Sequence, residues 1–148
     1  CVDLKGIMIP ENVYQIDHYA FRGCTSLETV LIKGQLTSLG GMIFYDCTSL
    51  KIVEFAEGIT RLKESTFGNC VSLETITLPA SIERIETKTF GGCTNLKTVY
   101  VKATTPPSMS HSVFTDNCKI YVPVESVEEY KKAKNWSTYA AQIEGDNF

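Results

Sequence analysis

The sequence predicts an α/β solenoid, in which stacked coils share one parallel β-sheet and a helical segment caps the C-terminal end. The first observation is the spacing of the six cysteines, whose successive intervals are 23, 23, 23, 23 and 25 residues. The second is that the residues around each cysteine realign in the same register, and the third is a helix-like pattern after the last unit. A unit of 23 residues is too short to close a core of its own, so copies must stack to bury their apolar edges.

Each unit carries the pattern F-x-x-C-x-x-L-x-x-V/I-x-I/L/F, whose last part predicts a strand. The copies span residues 21–32, 44–55, 67–78 and 90–101, and the first nine residues fit from the cysteine onward. Because side chains alternate along a strand, Val30 and Ile32 are expected to point inward while Thr29 and Leu31 point outward. Equivalent strands of successive units then pair in parallel, roughly 4.8 Å apart, in one continuous sheet.

The other half of each unit is expected to complete the coil. It holds two aliphatic residues three positions apart, namely Val13 and Ile16, Leu36 and Leu39, Ile59 and Leu62, and Ile82 and Ile85. The F-x-x-C stretch is expected to form the wall opposite the sheet, in a short helical or irregular turn. Stacking then places the phenylalanines and cysteines in interior columns.

The cysteine column admits two interpretations. Stacked neighbours about 5 Å apart could meet disulfide geometry, whereas burial at the same position of every unit favours free thiols that act as small hydrophobic groups. We favour free thiols and extend that interpretation to Cys1, where a lipid-modified terminal cysteine is the alternative. A metal site is disfavoured, because the sequence has no C-x2-C pair and neither His18 nor His111 lies at a useful ligand spacing.

After the last unit the pattern changes to that of a helix. Residues 124–136 place acidic residues first and lysines last, as the helix dipole favours, and Val127, Tyr130 and Lys134 would share one face. Because an open solenoid end exposes core, we expect a helical cap at 124–148 on the repeats of 1–123, which comprise about five units, the first one partial. The start in mid-unit suggests a cut from a longer array, and the cap suggests the end of that array.

Composition and charge argue against several classes of function. The net charge of −3 disfavours a nucleic-acid binder and a protein drawn to anionic membranes. No apolar run is long enough for direct insertion into a bilayer. The sequence contains no nucleophile-elbow, phosphate-loop or zinc-protease motif, so we expect no catalytic residue and no cofactor.

The F-x-x-C-x-x-L-x-x-V-x-L-P spacing, repeated every 23 residues, resembles the BspA-like type of bacterial leucine-rich repeat. The proline after the strand is present at Pro10, Pro79 and Pro123, whereas Gly34 and Ala56 stand where it is expected in two units. The resemblance covers essentially the whole chain, and the T-P-P…Y-V-P…S-V-x-x-Y-x-x-A-x-x-W segment resembles the family's closing segment. It implies a leucine-rich-repeat, right-handed coil in a bacterial cell-surface or secreted protein that adheres to host matrix or to other cells.

One set of outward positions on the sheet alternates in charge. These residues follow the leucine of each unit and are Lys5, Glu28, Lys51, Glu74 and Lys97. A charged recognition stripe is one interpretation. Alternation cancels any net field, however, so we favour a ladder that fixes the register of the strands by mutual attraction.

The outward centres of the strands and their neighbours form the candidate partner-binding face, here called the outer sheet face. It comprises Met8, Thr29, Leu31, Ile52, Glu54, Thr75, Thr77, Thr98, Tyr100 and Tyr121. Tyr100 and Tyr121 are expected to lie side by side, and tyrosine is favoured in binding hot spots. The alternative is that strand propensity alone explains these threonines, tyrosines and aliphatic residues.

These observations predict a non-enzymatic protein-interaction or adhesion module whose partner is a host matrix protein or another cell-surface protein. A structural spacer, which presents another domain at the cell surface, is the alternative. An enzyme or a carbohydrate-binding module ranks below both. The sequence identifies neither the ligand nor the oligomeric state.

Overall fold

The computed structural model describes all 148 residues and consists mainly of short strands joined by turns. Longer strands, formed by the V-x-I part of each unit, alternate along the repeats with strands of two residues. In chain order the strands are β1 (Gly6–Ile9), β2 (Thr29–Ile32), β3 (Ser38–Leu39), β4 (Ile52–Phe55), β5 (Arg61–Leu62), β6 (Thr75–Leu78), β7 (Arg84–Ile85), β8 (Thr98–Val101), β9 (Ser108–Met109), β10 (Lys119–Pro123) and β11 (Ile143–Asp146).

The longer strands pair in parallel and in the register that the repeat predicts. Gly6 pairs with Thr29, Thr29 with Ile52, and Thr75 with Thr98, so equivalent residues of successive units lie beside each other. Within each strand the second and fourth positions point inward, as at Val30 and Ile32 in β2. Alternation along the strand thus places one apolar row in the core and one row outside.

The prediction of one continuous sheet is wrong, because the longer strands form two sheets. One has the order β1-β2-β4 and the other the order β11-β10-β8-β6, while β4 and β6 are adjacent without a hydrogen-bonded ladder. At this junction Phe55 occupies the inward position held by smaller residues such as Ile32 and Leu78. Its ring packs edge-on against Phe67, with ring centroids 6.1 Å apart, and this bulk separates the two strands.

A further parallel sheet, which the sequence analysis did not predict, consists of the two-residue strands in the order β3-β5-β7-β9. The inward residues of three of these strands are the second aliphatic residues of the predicted pairs, Leu39, Leu62 and Ile85, and Met109 extends the row. Strands of two residues carry no alternation that a sequence pattern can show. Their pairing is visible only once the coils are stacked.

One core runs through all the coils. Its central feature is the predicted phenylalanine column, in which nearly parallel rings follow each other with centroid distances of 5.5 to 5.7 Å. The column consists of Phe21, Phe44, Phe67, Phe90 and Phe114. The cysteines and the aliphatic residues of the units fill the space around it, and all buried hydrophobic residues belong to a single cluster.

The C-terminal segment departs from the single helix predicted over residues 124–136. A 3-10 turn (Val124–Ser126) leads into α1 (Val127–Lys132), and a second 3-10 segment (Trp136–Gln142) precedes β11. The helix ends because Asn135 adopts a left-handed conformation, with φ of 67°, and its amide donates to the Met109 carbonyl. No helix is both long and apolar enough to cross a bilayer.

This segment packs on the last coil through aromatic side chains that also donate hydrogen bonds. The Trp136 indole N–H donates to the Pro107 carbonyl at 2.7 Å, and the Tyr130 hydroxyl donates to the Ala103 carbonyl at 2.7 Å. Both side chains are fully buried. Burial with a satisfied polar atom is favourable, so the aromatic residues fix the segment against the repeats.

Candidate functional site

The structure arranges the outer sheet face in two rows that cross the strands. The first row contains the leading residue of each strand and the second row its third residue. The first row consists of Thr29, Ile52, Thr75 and Thr98, and the second of Met8, Leu31, Glu54, Thr77, Tyr100 and Tyr121. The gap between β4 and β6 divides both rows, so the predicted face is two adjacent surfaces rather than one.

The N-terminal part of this face is apolar and exposed. Met8 is 60% exposed and Ile52 is 50% exposed, with the half-buried Leu31 on the strand between them. Thr29 is half-buried beside Ile52, and Glu54 at the edge of this part is exposed. Large apolar side chains in contact with water on one face are typical of interaction surfaces.

The C-terminal part of the face is aromatic. Tyr100 and Tyr121 stack with their ring centroids 5.2 Å apart, which confirms their predicted adjacency. Phe148 packs edge-on against Tyr100 at 6.2 Å. The sequence analysis missed Phe148 because it lies outside the repeat pattern. The rings leave Tyr100 and Tyr121 half-buried, with Thr77 and Thr98 also half-buried and Thr75 exposed.

The charged column beside this face contains pairs of opposite charge. Lys51 contacts Glu28 at 3.0 Å and Lys97 contacts Glu74 at 3.1 Å, between side chains that are exposed on both sides. Such pairs contribute little to stability in water. The contacts are those that a register ladder requires, and they neutralise four of the charges that a recognition stripe would need.

A third ion pair extends the charged edge to the last strands. Lys119 of β10 contacts Glu144 of β11 at 3.1 Å. The hydrogen bond to the Glu144 carboxylate, together with its negative charge, raises the pKa of Lys119 above its ordinary value. The sequence analysis did not predict this pair because β11 follows no repeat.

The repeat cysteines are free thiols, and all but one of them are buried. The Sγ–H groups of Cys47, Cys70 and Cys93 donate to carbonyls of the preceding coil at 3.2, 3.3 and 3.1 Å. Burial raises the pKa of Cys47 to about 12 and that of Cys118 to about 11. Because the thiolate is the nucleophile and the metal ligand, these groups are suited to packing rather than chemistry.

Cys1 is the exception, since it is exposed. The prediction that it is buried in the column is wrong, because no coil covers it on the side away from Cys24. No group of three or more His, Cys, Asp or Glu side chains is placed to hold a metal ion.

A charged cluster on the short-strand sheet was missed by the sequence analysis. The Arg61 guanidinium donates to the Glu86 carboxylate, which also accepts the backbone N–H of Glu64 at 3.1 Å. Arg84 lies beside Arg61 in the sheet, with its Nε 3.8 Å from the same carboxylate. The carboxylate therefore stabilises two adjacent like charges, which is a structural role.

Comparison with known protein families matches residues 1–121 to the BspA type leucine rich repeat region, in six copies. The chain belongs to the BspA-type leucine-rich repeat family. The number of copies is one more than the about five units of the sequence analysis, the first of which was partial. No curated protein matches this BspA-type chain.

Solved bacterial structures share the fold of this BspA-type array. A leucine-rich repeat protein of T. pallidum is 25% identical with a TM-score of 0.74, over 82% of this chain and 60% of that one. A leucine-rich repeat protein of Bacteroides ovatus is 25% identical with a TM-score of 0.71, over 99% of this chain and 37% of that one. A leucine-rich cell surface protein of Faecalibacterium prausnitzii is 26% identical with a TM-score of 0.64, over 97% and 32%. The chain thus spans about a third to three fifths of their length.

Proposed function

We propose that this BspA-type array is a non-enzymatic adhesion module of a bacterial cell-surface or secreted protein. Its partner would be a protein of the host matrix or of another cell surface, bound through the outer sheet face. The proposal includes the right-handed coil, the 23-residue repeat and the C-terminal helical cap expected from the sequence.

The observation that carries the proposal is the content of the outer sheet face. Exposed Met8 and Ile52 lie at one end, and the stacked tyrosines Tyr100 and Tyr121 at the other. A monomeric protein gains nothing from keeping large apolar side chains in water, whereas a binding surface uses them as anchors. A solenoid also holds them on a rigid, extended surface that suits a protein partner.

The fold neighbours support the cellular setting. One is described as a leucine-rich cell surface protein, and another, 13% identical with a TM-score of 0.61, is the pneumococcal vaccine antigen PcpA, which shares the fold. A surface location brings such a repeat array into contact with matrix and with other cells.

The experiment measures saturable binding of the purified chain to surfaces coated with solubilised host matrix proteins. The Tyr100→Ala/Tyr121→Ala double variant is expected to weaken binding about tenfold or more, because tyrosine anchors dominate such interfaces. Circular dichroism and the urea unfolding midpoint show whether the array stays folded. A folded double variant that binds with unchanged affinity would remove the aromatic part of the face from the proposal.

A structural spacer is the second candidate, supported by the rigid stacking of the coils. It predicts that an unrelated solenoid of equal length, exchanged for these repeats in a longer parent protein, preserves the activity of the whole. The adhesion proposal predicts that the exchange abolishes matrix binding. The two functions are separated by the same pair of proteins.

A further inference from the structure

The junction between β4 and β6 lacks hydrogen bonds that every neighbouring junction has. Elsewhere two consecutive amides share the carbonyl of the preceding coil: those of Lys51 and Ile52 bond to Glu28, and those of residues 97 and 98 bond to Glu74. At the β4–β6 junction the amides of residues 74 and 75 make no such bond to Lys51. The ion pairs of the charged column also stay on either side of the junction.

The far end of the same junction is open for a different reason. After the other strands, the amides of Lys33, Ala56 and Lys102 bond to the carbonyl of the preceding coil. Pro79 stands at that position after β6, and it has no N–H to donate to the Phe55 carbonyl. On the short-strand side the coils remain bonded, since β5 and β7 are paired. The crevice therefore opens only on the outer sheet face.

The crevice encloses about 260 Å³ and combines apolar walls with carboxylates. Val53, Phe55 and Pro79 form the walls, and Glu54 and Glu57 supply negative charge. Neither carboxylate has a cationic group within 4.0 Å, although Glu57 accepts the Ser81 amide at 3.3 Å.

Lys102 and Thr77 complete the lining of the crevice. With two carboxylates against one ammonium group, the local charge is negative. The volume is smaller than that of sites for drug-sized ligands, which begin near about 300 Å³, so it suits one inserted side chain.

We propose that this crevice receives an arginine side chain of the partner protein that binds the outer sheet face. The inference rests on the proposed function and names the chemistry of the residue that the face recognises. A guanidinium group offers only donors, and the crevice presents acceptors: the two carboxylates and the Phe55 carbonyl that faces Pro79. The arginine stem packs on Val53 and Pro79, while the half-buried Phe55 ring offers a surface for the cation.

The test uses nuclear magnetic resonance titration with Nα-acetyl-arginine methylamide, and with the citrulline analogue as its uncharged isostere. Arginine is expected to shift the amide signals of residues 53–57 and 77 saturably, and citrulline is expected to leave them unchanged. The Glu54→Gln/Glu57→Gln variant should weaken arginine binding about tenfold or more, because charge-assisted hydrogen bonds are lost. The control variant, Glu128→Gln/Glu129→Gln, makes the same change of charge on α1 and should bind normally.

Equal shifts with citrulline, no saturable shift with arginine, or unchanged binding by the Glu54→Gln/Glu57→Gln variant would overturn the inference. If the chain binds matrix proteins through the outer sheet face but arginine does not enter the crevice, only this inference fails. If arginine binds here and no matrix protein does, the site stands and the adhesion function fails.

Discussion

At the scale of single residues, the structure depends on side chains that contact their own equivalents in the next coil. Phe67 is fully buried between Phe44 and Phe90, with centroid distances of 5.5 and 5.6 Å. Phe21, at the end of the column, is half-buried and has one such neighbour. The same residue type therefore has different energetic weight at different places in the array.

Phe67→Ala is expected to lower the free energy of unfolding by about 3–5 kcal/mol, because it opens a cavity inside the column. Phe21→Ala removes a side chain that already contacts water, and is expected to cost about 1–2 kcal/mol. Equilibrium unfolding in urea measures both. Equal costs for the two variants would contradict a continuous column with one open end.

The buried thiols predict a loss of stability in alkaline solution. Burial raises the folded-state pKa of Cys47 from 9.0 to about 12 and that of Cys118 to about 11. As the pH rises through the ordinary thiol pKa, the unfolded chain loses protons that the folded chain retains, so the free energy of unfolding falls. Below that pH these thiols contribute no pH dependence. Urea unfolding across this range should give a smaller slope for Cys47→Ala/Cys118→Ala than for the wild type.

At the scale of elements, the sheets are held by backbone hydrogen bonds everywhere except at the junction of β4 with β6. The amides of Glu74 and Thr75 are expected to exchange with solvent faster than those of Lys97 and Thr98, which bond to the preceding coil. Native-state hydrogen exchange resolves the two pairs. Similar protection of both pairs would show that the crevice is closed in solution.

Phe55→Ile tests the cause of this opening. Isoleucine is the residue at the equivalent position of β2, and it lacks the ring that packs on Phe67. We expect the variant to bring β4 and β6 together and to slow the exchange of the Glu74 and Thr75 amides. Unchanged exchange would indicate that Pro79 alone keeps the strands apart.

At the scale of the whole molecule, periodicity predicted the stacked coils, the phenylalanine column, the inward rows and the Tyr100–Tyr121 neighbours. These features follow from equivalent residues meeting at a fixed interval. It could not predict the division of the sheet, because that depends on the size of Phe55 against Phe67, nor the helix end at Asn135. The short-strand sheet and the position of Phe148 on Tyr100 likewise depend on contacts that no single unit contains.

The central claim is that the outer sheet face binds a protein partner, and charge placed on its apolar end tests it most directly. Met8→Lys/Ile52→Lys puts two cations where the exposed fractions are 60% and 50%, and Tyr14→Lys/Tyr19→Lys adds the same charge at residues that are 68% and 52% exposed elsewhere. Binding to matrix-coated surfaces is measured for both variants. The account predicts that the sheet variant loses binding while the control keeps it. Equal binding by the two variants would contradict it.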